Sequence, residues 1–155
     1  MELKTKINAE EGKHDLTITR EFDLPVELLF KAYTEPEIVA QWMGTKVLKL
    51  ENKQHGGYRF ETSDAKGNVV FRGIGVIHEF SPNQKITRTF EMENSPFDVQ
   101  LEFLVFEKLT NDTSKLIIHS LYRSAALRDQ MLALPFAPGI NMAHNRLQDI
   151  VSKLK

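Results

Sequence analysis

The sequence of 155 residues contains no cysteine, which excludes disulfides, thiolate nucleophiles and thiolate metal sites and makes a reducing cytoplasm the expected location. It has no excess of charge either: 20 basic residues face 21 acidic ones, for a net charge of −1. Nothing in that balance recommends nucleic acid or an anionic membrane as a partner. No apolar run is long enough to span a bilayer, so no membrane insertion is expected. The opening MELKTKINAEEGKHD is charged and lacks the apolar core of a signal peptide, and residues 1–13 read as a flexible lead-in. No internal repeat, low-complexity tract or linker divides the chain, and its length suits one domain over residues 1–155 with one core. Tryptophan occurs once, at position 42.

What is present is periodic. In DLTITREF, Leu16, Ile18 and Phe22 alternate with Thr17, Thr19 and Glu21, which predicts a strand with Arg20 on its apolar side. Residues 23–44, DLPVELLFKAYTEPEIVAQWMG, predict two short helices in succession. Asp23 is placed to cap the first near Pro25, and Val26, Leu29, Phe30 and Tyr33 share one face. Thr34 and Glu37 have capping-box spacing around Pro36, Ile38, Val39 and Trp42 form the buried side of the second helix, and Gly44 ends it.

Six alternating stretches follow: TKVLKLEN, GGYRFETS, VVFRGIGVIHEF, KITRTFEME, FDVQLEFLVFEKL and SKLIIHSLYR. Turn-forming residues separate them, including Gly56-Gly57, Lys66-Gly67-Asn68 and Ser81-Pro82-Asn83, so an antiparallel meander is expected. Ser124 is placed to cap a helix through AALRDQMLAL, which Pro135 and Pro138 interrupt, and a last helix is expected from Gly139 to Lys155. Ile140, His144, Leu147, Val151 and Leu154 form its apolar stripe, broadened by Ala143 and Ile150. Such a helix must lie on something, and the large apolar surface on offer is the concave face of a curved sheet. The fold class is α+β.

This order, together with ITREFDLPVELLFKAYTEPEIVAQWMG, HGGYRFETSDAKGNVVFRGIGVIHEFSPNQKITRTFEM and RSAALRDQMLALPFAPGINMAHNRLQDIV, resembles the START-like or SRPBCC superfamily. Within it the chain is similar to homologues of the activator of the 90-kDa heat-shock chaperone's ATPase. The resemblance implies the helix-grip, or birch-pollen-allergen-like, fold: a curved antiparallel sheet around a long C-terminal helix, with two short helices after the first strand. It also implies an apolar cavity between sheet and last helix that takes a small apolar or amphipathic molecule. Regulation of a chaperone ATPase is a second implication, and cyclase-like or hydrolase-like action on a cavity-bound substrate a third.

Candidate ligand-binding residues are Arg20, Phe30, Trp42, Phe60, Phe71, Phe90, Phe103, Tyr122, Met131, Phe136, Met142 and His144. Most are aromatic or methionine side chains, which adapt to apolar ligands and equally well fill ordinary cores. Trp42 suits a wedge at the helix end or the cavity entrance. His144 suits a buried histidine satisfied by a neighbour, or a group that meets ligand. Arg20 and Arg72 interrupt apolar strands; a buried guanidinium requires an acid, for which Glu102 is on offer, or an anionic ligand, and an exposed edge position is the commoner explanation for both. Gly73 and Gly75 share one strand face and predict a close approach or a bend. Arg128 and Asp129 read as a helix-anchoring ion pair or cap.

His14, His55, His78 and His119 show no HxH or HExxH spacing, so no metal site is expected. No GxSxG elbow occurs, no catalytic residue is assigned and no cofactor is expected. An enzyme on this fold would have to use cavity groups such as His144, Tyr122 or Arg20. Sheet edges and the convex face leave room for a homodimer.

Overall fold

The computed structural model describes residues 3–155. The elements run β1 (Lys6–Asn8), β2 (Asp15–Phe22), α1 (Val26–Thr34), α2 (Pro36–Met43), β3 (Lys46–Leu50), β4 (Gly57–Ser63), β5 (Val69–Ser81) and β6 (Lys85–Met92). They continue through β7 (Gln100–Lys108), β8 (Ser114–Leu121), α3 (Ala125–Ala133) and α4 (Phe136–Ser152). The strands form one antiparallel sheet in the order β1-β2-β8-β7-β6-β5-β4-β3, a meander whose last strand is joined by the first two. Register shifts in the β3–β4, β4–β5 and β5–β6 pairings bend and twist it.

Strand alternation puts Leu16, Ile18, Leu104, Phe106, Leu116 and Ile118 on the inner face, where they are buried. Against them lie Val26, Leu29, Phe30 and Tyr33 of α1, Val39 and Trp42 of α2, and Leu147 and Val151 of α4. Each such Leu, Val or Phe contributes roughly 1.5–3 kcal/mol by leaving water. The backbone of α4 packs chiefly against α1, α2 and α3 and not against the strands. That stand-off leaves space between helix and sheet.

Several local expectations change. Residues 6–8, expected to be flexible, form an edge strand paired to β2, and Thr5 N donates to Asn141 Oδ1 on α4 at 3.0 Å. The part of that expectation falling on residues 1 and 2 lies outside the described residues. Asp23 does not cap α1; Pro25 holds the cap position, while Asp23 is pinned to α4 through Gln148, which accepts from its amide at 2.9 Å and donates to its carbonyl at 3.2 Å. No capping box forms at α2, because Thr34 still belongs to α1 and its hydroxyl donates back to the Phe30 carbonyl at 3.1 Å. Gly44 closes α2 in the left-handed conformation at φ 62°. Helix α4 starts at Phe136, ahead of Gly139, since Pro138 falls in its first turn, where a missing amide proton breaks no helical bond. Leu154 lies beyond the end of α4 and is 52% exposed.

Candidate ligand cavity

The space between α4 and the inner face of the sheet is a cavity of about 570 Å³. Its apolar wall combines Ile18 and Ile118 from the sheet, Phe90 and Met92 from β6, Trp42 and Met43 from α2, Met131 from α3, and Phe136, Ile140 and Ala143 from α4. Leu134, Pro135 and Gly139, at the corner between α3 and α4, are exposed and form its mouth.

Of the residues singled out in the sequence, Trp42, Phe90, Tyr122, Met131, Phe136 and His144 line this cavity. Trp42 acts as wedge and wall together: its indole donates to the Ala32 carbonyl at 2.7 Å and its ring lies 5.2 Å from that of Tyr33. Phe71 backs the wall, stacked on Phe90 at 6.3 Å. Phe30 is in the core against Phe80 and Phe106, and Phe60 lies beside Tyr58. Phe103 is on the opposite face of the sheet, stacked on His119 at 6.0 Å, and Met142 faces away from the sheet at 59% exposure.

Arg20 is buried, contrary to the exposed position weighed as commoner for it. It sits beside the cavity, not in its wall. Its Nη1 donates to Asn141 Oδ1 at 3.3 Å, its Nε donates to the Glu21 carbonyl at 3.2 Å, and the guanidinium lies 5.2 Å from the centre of the Phe22 ring. Thr5 Oγ1 joins this cluster, 2.7 Å from His144 Nδ1. Burial first, and the Arg20 charge second, push the His144 pKa down to about 3, so the ring is neutral near pH 7.

Glu102 pairs with neither Arg20 nor Arg72. The β6–β7 register sets Arg88 directly opposite it, and Arg88 Nε donates to Glu102 Oε1 at 2.9 Å. Arg20 is on β2, separated from β7 by β8, while Arg72 faces outward opposite Glu61, to which it donates at 3.2 Å. The second Glu102 oxygen accepts from Gln100 Nε2 at 2.8 Å, and the Arg88 guanidinium lies 5.1 Å from the centre of the Tyr58 ring. Burial opposes the Arg88 charge, but Tyr58 and Glu102 more than restore it, and its proton is held more firmly than usual. Arg88, Gln100 and Glu102 all line the cavity.

Arg88 is the polar group that the sequence reading missed. The signal was there: Ile86, Arg88, Phe90 and Met92 share the parity of one face of β6, as Gln100, Glu102, Leu104 and Phe106 do on β7. A cation and an acid on the same face of adjacent strands become a cross-strand pair where the register sets them opposite, as it does here.

Further polar groups reach the cavity from Tyr33 and Tyr122. Burial raises the pKa of both phenols, which keeps them protonated and able to donate. Among the described residues, Asn52 Oδ1 is the one side-chain polar atom both enclosed and without a partner, so these hydroxyls open onto the cavity and are not walled off.

The two glycines of β5 make room for this wall. A Cβ on Gly73 would come within 2.7 Å of the Phe90 ring, and one on Gly75 would meet Thr89 O and, at 2.5 Å, the Tyr58 ring. Arg128 anchors α3 as anticipated, pairing with Asp129 at 3.0 Å, and it also donates to the carbonyls of Glu10 at 2.6 Å and Asp15 at 2.9 Å. Among the described residues no helix is long and apolar enough to cross a membrane.

A curved antiparallel sheet, two short helices after an early strand and a long final helix set over a cavity define the helix-grip fold of the SRPBCC superfamily. Solved structures share it. A Rhodobacter sphaeroides protein is 18% identical with a TM-score of 0.86, over 97% of this chain and 99% of that one. A Mycobacterium smegmatis protein is 18% identical with a TM-score of 0.83 over 95% and 96%, and an Arthrobacter aurescens protein 15% identical with a TM-score of 0.84 over 96% and 91%. At these identities the likeness speaks for the fold alone. The chain belongs to the family described as Activator of Hsp90 ATPase homolog 1-like protein, which matches residues 23–152. No curated protein matches it.

Proposed function

We propose that the chain binds a small apolar or amphipathic molecule between its sheet and α4. The observation that carries this reading is the cavity itself. Its 570 Å³ lies within the roughly 300–1,000 Å³ of small-molecule sites, and an apolar wall with a few fixed polar groups is the composition such sites have. Native mass spectrometry of protein purified gently from its own cells, followed by release of any bound molecule, tests it. A reproducible adduct that is lost when Trp42 is replaced by Ala supports binding. A clean unliganded mass, under conditions that keep known weak complexes intact, counts against it. Because Trp42 is the sole tryptophan and lines the cavity, a ligand should also change its emission. Unchanged emission at proven saturation would remove Trp42 from the site.

A second reading takes up the family's description, activation of a chaperone ATPase. A groove on the outer side of the sheet, where Leu48, Val76 and Val99 are exposed beside Ile74 and Glu91, gives it a surface to use. Stimulation of a purified cognate chaperone's ATPase is the readout, and failure both to bind and to stimulate would end this reading.

A further inference from the structure

We infer that the molecule taken by the cavity is a singly charged carboxylate amphipath, with its carboxylate on the terminal nitrogens of Arg88 and its hydrocarbon body along the apolar wall. This rests on the ligand-binding reading above and names the chemical class of the ligand.

Arg88 is fixed on one edge by Glu102, which takes its Nε at 2.9 Å, and on its face by the Tyr58 ring. Glu102 is fixed in turn by Gln100. Among the described residues Nη1 and Nη2 of Arg88 make no hydrogen bond, and the side chain lines the cavity at only 14% exposure. A guanidinium held in this way presents two parallel N–H donors, the pattern that a planar carboxylate matches with both oxygens. An alcohol supplies one acceptor oxygen and no charge, and matches the fork less well.

Arg88 and Glu102 cancel, and the remaining ionised group in the cavity wall is Arg146, whose Nε donates to the Trp42 carbonyl at 3.1 Å. His144 is neutral. The wall therefore carries a net charge of +1, from Arg88 and Arg146 against Glu102, and one anionic head neutralises it. A cationic head is disfavoured, since the acid in the wall already has both oxygens engaged.

Titration calorimetry near pH 7 with decanoate, decanol and decylammonium, which share one chain and differ in head, reads the preference directly. Decanoate is expected to bind at least tenfold more tightly than decanol, with decylammonium weakest. The preference should collapse in Arg88→Met/Glu102→Gln, which removes both charges together and leaves no lone buried ion. Arg146→Gln, at the exposed rim of the cavity, should weaken decanoate several-fold and leave decanol unchanged. Equal binding of decanoate and decanol by the unaltered protein overturns the head-group assignment while leaving the cavity as a binding site. If none of the three binds, the assignment falls; if the uncharged apolar dye Nile red does not bind either, the ligand-binding reading falls with it.

Discussion

His144 shows how one buried side chain ties stability to pH. Its pKa is lowered from 6.5 to about 3 in the folded chain, so between those values the unfolded chain binds a proton that the folded chain refuses. Stability therefore falls as pH drops through this window, by about 1.4 kcal/mol per pH unit where the difference is one full proton. Glu79, whose ordinary value is 4.5 and whose Thr87 and Lys85 hydrogen bonds lower it, acts with the same sign but lower down. The share of the histidine is read as the difference between the unaltered chain and a His144 variant across the interval from 6.5 to 4.5. Urea unfolding at steps across it should show a shallower pH dependence for His144→Gln than for the unaltered chain; identical slopes would mean that His144 takes up its proton while folded. Legibility at this scale followed what alternation can report. The stripe of α4 placed His144 inside and the parity of β2 put Arg20 on the apolar side, although an exposed edge was the commoner reading for it, but parity does not fix which residue of the next strand lies opposite. The partner of Glu102 therefore had to come from the register of β6 on β7.

The helices and strands themselves were readable because their periods repeat over many residues: all six meander strands and the helices α1 to α4 fall where the pattern puts them. Their ends were less so. A cap depends on one or two hydrogen bonds, and at Asp23 and Thr34 tertiary partners in α4 and α1 took the groups that local rules assign to capping. Strand β1 escaped notice because three residues are too few for a period, and it is held by β2 and Asn141 instead. Two glycines give a test at the level of these elements. Gly75 lies where β5 crosses the Tyr58 ring and the Thr89 carbonyl, so Gly75→Ala must push backbone and should cost about 1–3 kcal/mol. Gly139 sits in α4 with nothing within 4 Å of its missing Cβ, and Gly139→Ala should stabilise by about 0.5–1 kcal/mol. Denaturant midpoints with unchanged slopes would read both; opposite signs are the expected result, and a neutral Gly75→Ala would show that the β5–β6 pairing can shift to admit a methyl group.

For the molecule as a whole, the cavity couples ligand to fold. A ligand that binds only the folded chain adds about 2.7 kcal/mol at a free concentration of one hundred times its Kd. Thermal unfolding should therefore shift upward with ligand concentration, and hydrogen exchange should slow in α4 and in β6 and β7 together, since all three wall the space. Slowing confined to one of them would mean that the ligand sits elsewhere. The overall architecture was legible because the order of elements is distinctive, whereas the volume under α4 was not, since it depends on how far one helix stands from a sheet. The same sheet has a consequence for how the chain is made. Strand β2 completes its pairing only with β8, and the contact between Asp15 and His119 spans 104 positions of sequence. At about 5–20 residues per second, a ribosome needs roughly five to twenty seconds to cross that gap. For that time β2, α1 and α2 emerge with apolar faces uncovered and the strand that must close over them not yet synthesised, so the newborn amino-terminal third passes through a state in which those faces are open to aggregation.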